Sequence, residues 1–453
     1  MPTYLSPGVY VEEIPSGLSP IAGVGTSTAG FIGVVSSSGT TYDQNLEAIV
    51  GEQVGTGDGT QTSFILSQYP VATASDTFSV TVGGEAATAT LSNDNGNQQS
   101  VVTFDTAPAS GAIVIDYQPV FQSVTAGEVK LCTNFTEFKQ SFGDFSSNSG
   151  QNTLAHAVYG FFRNGGTRCY VVWVVQESDV RNVLESFEVI DEIALVAAPG
   201  VTTKSVLGDI DIHCRNLGDR FAIFDSAQEV TDLGSLKPGE GEMPFSSDYA
   251  GYYFPWIQVF DPSSNSNIYI PPSGHIAGVY ARVDTQRGVF KAPGNEAILG
   301  AIGLKYSISK SKQAGLNPQG INCIRNLNGN ILIWGARTLG GDANGEFKYI
   351  STRRLFNFLR ESIDEGTQWT VFEPNSPELW ARIRRNVTAF LTTVWQSGAL
   401  FGNTPEQAFY VKCDEENNPP NVRELGQVII EIGVAVVKPA EFVIFRISQW
   451  QSE

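Results

Sequence analysis

From residue 154 to 227 the chain alternates two hydrophobic rhythms. LAHAVYGFFR (154–163) carries apolar residues at helical spacing and stops at NGG (164–166). RCYVVWVV (168–175) is an unbroken apolar run of strand length, the pattern of a strand covered on both faces. The pattern continues with a helix over 179–190, a strand in EIALVAAPG (192–200), a helix over 202–217 and a strand in RFAIFDSA (220–227). Strands alternating with helices predict right-handed βαβ units and a mostly parallel sheet. TAGFIGVV (28–35) is an earlier apolar run of strand length and is expected to enter the same core.

Residues 52–119 follow a different rule. GTGDGTQTSFILS, DTFSVTVGG, EAATATLS, SVVTFDTAPASG and AIVIDYQPV alternate polar and apolar positions, separated by Gly, Asn, Asp and Pro. This predicts an inserted all-β module of about five short strands on the outer surface. Residues 228–345 read as irregular, with a Pro/Gly-rich stretch at 236–245 and a polar loop at 261–274. Helical patterns return at 351–366, with Leu355, Phe358, Leu359 and Ile363 on one face, and at 376–400. The second has Ser376 as N-cap, Pro377 at the first helical position and Gly398 at its end. QAFYVKCD, GQVIIEIGVAVV and AEFVIFRISQW then read as strands.

Both ends of the chain are strand-like segments without a sequence neighbour to pair with. At the start, Val9, Tyr10 and Val11 stand between Pro7-Gly8 and Pro15-Ser16-Gly17. At the end, Phe442, Val443, Ile444 and Phe445 follow Lys438-Pro439. A lone strand leaves its backbone donors and acceptors unmet. Either these segments add to sheet edges of other copies of the chain, or they pair within it.

Charge narrows the function. The net charge of −19 is uneven: the first Lys or Arg is Lys130, and 12 Asp and Glu precede it. Residues 1–345 carry 17 basic and 33 acidic side chains, net −16; residues 346–453 carry 11 and 14, net −3. Phosphate backbones repel such a chain, so nucleic-acid binding is not expected. Cys132, Cys169, Cys214, Cys323 and Cys413 are odd in number and form no CxxC pair, which suits a reducing cytosol. No secretory signal or membrane-spanning run is read, so neither single-chain export nor membrane insertion is expected.

Catalytic and cofactor patterns do not emerge. No Lys follows Gly, which excludes a Walker A GK[ST]. GVGTSTAG (23–30) precedes a strand rather than a helix. His156, His213 and His275 lack ligand-spaced partners, and there is no GxSxG. GGDANGE (340–346) spaces Asp342, Asn344 and Glu346 as in a calcium loop but lacks the other ligands. DEEN (414–417) reads as a solvated loop. No enzyme, metal or cofactor is expected; the alternative is a multidomain bacterial surface or secreted enzyme with an inserted β-sandwich.

Several segments resemble the contractile tail sheath proteins: YLSPGVYVEE at the start, FPWIQVFDP (254–262) and YIPPSGHIAGVYARVDTQRGVFKAPGN (269–295). So do LNPQGINCIR (316–325), ILIWGARTL (331–339), STRRLFNFLRESIDEGTQWTVFEPN (351–375), GALFGNTPEQAFYVKCD (398–414) and KPAEFVIFRISQ (438–449). The resemblance is weakest over 50–120. It implies subunits in six-fold rings forming a helical sleeve around an inner tube, built on a baseplate and closed by a terminal cap protein. Such a sleeve is assembled in the bacterial cytoplasm, belongs to a phage tail or a released tail-like particle, and contracts to drive the tube through a target envelope. It implies terminal arms exchanged with neighbouring subunits, and a C-terminal domain placed against the tube. The expected organisation is an N-terminal arm (1–20), an α/β domain (21–51 and 120–337) and the β module (52–119). An α+β C-terminal domain (338–440) and a C-terminal arm (441–453) complete it. Within the C-terminal domain, Arg382, Arg384 and Arg385 form a basic cluster, either a docking surface for an acidic tube or partners of Glu378, Glu361 and Asp364.

Overall fold

The computed structural model describes residues 21–35, 48–68, 71–94, 99–119, 124–238 and 245–446. By contact density the chain divides into a larger unit, 25–357 with 438–453, and a smaller one, 1–24 with 358–437.

The first strand of the larger unit is β1 (Ala29–Val34). The alternating segment follows as seven strands: β2 (Ile49–Thr56), β3 (Ser63–Ile65), β4 (Phe78–Val82), β5 (Glu85–Ala86), β6 (Thr90–Asp94), β7 (Gln99–Thr103) and β8 (Ala112–Tyr117). They form two antiparallel sheets, ordered β2-β8-β4-β5 and β3-β7-β6. Their inward positions make a separate core of Phe64, Leu66, Val80, Leu91, Val102, Phe104, Ile113, Ile115 and Tyr117. Period-2 alternation has its usual meaning here: one face dry, one wet. Ile49 lies opposite Tyr117, so the segment enters and leaves side by side.

The α/β alternation continues through β9 (Lys130–Cys132), α1 (Phe135–Phe142), α2 (Ser149–Arg163), β10 (Cys169–Val174), α3 (Val180–Glu188), β11 (Leu195–Ala197), α4 (Lys204–Leu217) and β12 (Phe221–Asp225). Next come β13 (Ala250–Phe254), β14 (Ile257–Asp261), β15 (Ser266–Ile270), α5 (Ser273–Arg287), β16 (Glu296–Ala297), β17 (Gly303–Leu304), α6 (Lys310–Leu316), β18 (Ile321–Leu327) and β19 (Asn330–Ile333). Among the described residues nine strands join in the order β16-β19-β18-β13-β12-β11-β1-β10-β9. β10, β1, β11, β12, β13 and β18 run parallel, and antiparallel strands close both edges. Successive residues supply opposite cores. Phe31, Val171, Leu195 and Phe221 face the core that includes α2 and α5 residues. Ile32, Val172, Val196 and Ala222 face the one that includes α3 and α4 residues.

The expectation that 228–345 is irregular is wrong, and α5 shows why. Every residue from Ser273 to Ala281 is buried, so the helix has no polar face to mark its period. Its glycines, read as loop formers, permit close packing. A Cβ at Gly274 would run into the backbone of Ala157 on α2, and one at Gly278 into the Phe161 carbonyl. The N-terminus of α5 is held by Asp225: Ser273 donates its backbone N–H (2.8 Å) and its hydroxyl (2.6 Å) to the carboxylate. The expected polar loop at 261–274 is instead the β14–β15 hairpin followed by the start of α5. Among its described residues the inserted segment also has seven strands rather than about five.

The chain continues into the smaller unit along α7 (Ile350–Thr367). There α8 (Pro377–Gln396) is capped as expected: Ser376 Oγ accepts from Leu379 N, and Pro377 opens the helix. Leu379, Ile383, Phe390 and Leu391 are all buried. Then come α9 (Pro405–Ala408), β20 (Phe409–Lys412), α10 (Pro420–Glu424) and β21 (Glu431–Val434).

All three histidines are buried. Burial pushes His275 down to about 3 and His213 to about 4, the latter helped by the nearby Arg220 charge. A base with a depressed folded-state pKa gives stability that is present above about pH 6.5 and lost as pH falls. Asp225, pushed up to about 6 by burial, works in the opposite direction but is one group. The unfolding free energy from urea titration is therefore expected to drop between pH 7 and pH 4.5, by on the order of 2 kcal/mol per histidine. A flat profile in tryptophan fluorescence would contradict this. Replacing residues 49–117 with a short Gly/Ser linker is expected to leave the melting of the α/β sheet intact, as read by circular dichroism.

Candidate assembly surfaces

No group of three or more metal-binding side chains occurs among the described residues, and no described helix is long and apolar enough to cross a membrane. The carboxylate of Asp342 is taken by Arg337 (3.0 Å) and Lys348 (3.4 Å). Glu416 in the 414–417 run pairs with Lys412 (2.7 Å). His156 meets Asp261 at 3.1 Å, a carboxylate already accepting from Ser263 and Ser264, so the pair is a buried structural tie. All five cysteines are free and buried.

What the surface offers is unpaired backbone and exposed apolar side chains. In the smaller unit, β20 lies antiparallel to β21, with Phe409 opposite Val434 and Lys412 opposite Glu431. The same side of this strand is extended by three bonds. Ala435 N donates to Ala408 O (2.8 Å), Phe401 N to Ala435 O (2.7 Å) and Val437 N to Ala399 O (3.2 Å). In an antiparallel ladder one residue's N–H and C=O point the same way and its neighbours' the other. The backbone groups of Ile432, Val434 and Val436 therefore face the opposite side, where this two-stranded sheet has no further strand among the described residues.

A second exposed feature lies in the larger unit. Phe442, Val443, Ile444 and Phe445 are 72, 70, 78 and 85% exposed. The sequence pattern predicts a strand over 441–450; residues 441–446 form none, and 447–450 lie outside the described residues. A strand is defined by its partner, and none pairs with 441–446 among the described residues. Val9, Tyr10 and Val11 also lie outside the described residues.

On α8 the arginines separate. Arg382 stacks on Trp369 (4.5 Å to the ring centroid) and reaches Glu373 at 3.8 Å. Arg384 donates to the Cys413 carbonyl (3.1 Å). Arg384 and Arg385 are exposed and line an open groove with Ala381, Thr388 and Ala389. Arg382 thus serves the fold, while Arg384 and Arg385 present charge to solvent.

Sequence reasoning missed a third feature. Phe372 is fully exposed, beside Val371 (62% exposed), in the loop before α8. Its φ of +68° is a conformation that side chains other than glycine seldom adopt. The available signal was an aromatic residue stranded between Thr370-Val371 and Glu373-Pro374, where a loop would ordinarily be polar.

Two family models match the chain: the phage tail sheath protein central domain over residues 175–339 and the phage tail sheath C-terminal domain over 342–449. The chain belongs to the contractile tail sheath family. A tail sheath protein of Salmonella phage ViI is 25% identical over 90% of this chain and 64% of its own length. One from Vibrio phage KVP40 is 27% identical over 41% of this chain and 27% of its own. The chain thus spans only part of the length of these relatives. Among solved structures, the sheath complex of an extracellular contractile injection system, PVC, in its contracted state has a TM-score of 0.65 or better: 0.67, at 24% identity, over 99% of both chains. The sheath fold therefore includes the segment over 50–120, where the sequence resemblance is weakest.

Replacing Arg384 and Arg385 together with Glu is expected to leave the melting temperature within about 2 °C, because exposed charges contribute little to folding. Replacing Arg382 with Ala is expected to lower it measurably, since the contact with Trp369 is lost.

Proposed function

We propose that this chain polymerises, as a structural subunit, into a contractile sheath around an inner tube, each copy joined to its neighbours by exchanged strands. The observation that carries the reading is the pairing of an open sheet edge with a projecting apolar segment. Ile432, Val434 and Val436 turn backbone groups to a side with no further described strand, and 442–445 are apolar and exposed. Main-chain pairing tolerates large rigid-body displacement of the joined bodies while the connection persists, which contraction requires. Arms at 1–20 and 441–453, the β module at 52–119 and an α+β domain at 338–440 complete the organisation, with rings of six-fold symmetry. The baseplate and a terminal cap are the remaining partners, and the particle is assembled in the bacterial cytoplasm and released or carried as a tail. No catalytic step is assigned to the subunit.

The tube is assigned to the face of α8 bearing Arg384 and Arg385. The rest of the chain is strongly acidic, so an exposed basic pair is a distinct surface. Each exposed ion pair is worth about 0–1 kcal/mol, so a ring of them holds the tube yet releases it when the subunit moves.

Removing residues 442–453 is expected to leave a folded subunit that forms no long sheaths by negative-stain microscopy; normal assembly would contradict strand exchange. The R384E/R385E sheath is expected to lose co-sedimentation with tube, and charge reversals on the tube to restore it. Unchanged co-sedimentation would remove the docking assignment.

A further inference from the structure

The C-terminal arm does not leave the larger unit freely. Glu441, the residue before Phe442, accepts from Arg337 Nε (2.9 Å) and Nη2 (2.8 Å), from Asn317 Nδ2 (2.6 Å) and from the Tyr349 hydroxyl (3.0 Å). Arg337 is only 3% exposed and also holds Asp342 and the Asn317 carbonyl. Arg337 and Tyr349 are bridged backbone to backbone, so the donors are themselves fixed. The contrast along the chain is abrupt: one carboxylate gathers four donor groups, and the next four residues are exposed.

We propose that Arg337, with Asn317 and Tyr349, is a clasp that fixes the root of the C-terminal arm at Glu441, so that the exchangeable segment begins at Phe442. This rests on the exchange reading and deepens it. Strand exchange needs a free segment, but transmitting a pull needs a firm root. A bidentate guanidinium–carboxylate pair shielded from water resists both salt and sideways displacement. Glu441 is well suited to it: burial works against ionisation, yet the hydrogen bonds from Arg337 and Asn317 more than offset this and hold its pKa below the usual carboxylate range. Lys348, 5.0 Å from the Tyr349 ring centroid, and Asp342 are the other charged groups at the clasp.

The test uses the full-length subunit without tube. All native cysteines are buried, so a nitroxide on a cysteine replacing the exposed Ala440 reports on the root alone. In the E441Q and Y349F backgrounds the label's rotational correlation time, read well below the melting transition of each variant, is expected to fall, by about threefold for E441Q and less for Y349F, while the unit stays folded. Unchanged spectra in both would overturn the clasp, as would mobility that appears only when the whole unit melts. Sheath formation is read separately: failure of the clasped wild type to exchange arms sinks the exchange reading and leaves the root measurement standing.

Discussion

Backbone hydrogen bonding at a sheet edge is the constraint on which the rest depends. A strand flanked on one side only leaves alternate N–H and C=O groups to water, and folded chains ordinarily cover, shorten or charge such edges. Here the edge at 432–436 is bordered by Val434 and Val436, and the arm at 442–445 is apolar at every position. Neither protects itself. In the proposed exchange each supplies what the other lacks, and across copies the deficit becomes the bond that builds a polymer.

The larger unit is a rigid body from which such a bond could pull. Its parallel strands are covered by buried helices, and α5 packs on α2 with no side chain at the glycine crossings. A buried ion pair ties α7 to this core: Arg354 on α7 donates to Asp284 on α5 at 2.6 Å, and Thr26 donates to the same carboxylate. The Arg337 clasp belongs to the same class. Removing one member of a buried pair leaves a charge without a partner, which is why such pairs hold position well even when they add little net stability.

Much of this architecture was legible in the sequence. β10, β11 and β12 announced themselves as apolar runs between helical patterns, and Ser376-Pro377 marked the start of α8 to the residue. The module at 49–117 was visible in its alternation, although its shortest strands merged in the pattern. What failed had physical causes. α5 is buried on all sides, so amphipathic periodicity vanished and its glycines suggested loops. The strand read at 441–450 needs a partner, and the described residues supply none to 441–446. The three arginines looked alike in sequence, but Trp369 and Glu373, packed near Arg382, separate a folding role from an exposed one. Phe372 was missed because a loop gives no period against which an exposed aromatic stands out.

The most direct test of the exchange account is a disulfide formed between copies. With Val436 and Val443 both replaced by cysteine, mild oxidation of assembled sheath should give a ladder of covalent multimers on a denaturing gel, while the unassembled subunit gives none. Oxidation that yields only monomer, in sheaths confirmed intact by microscopy, would show that the arm at 442–445 does not pair with the 432–436 edge of a neighbour.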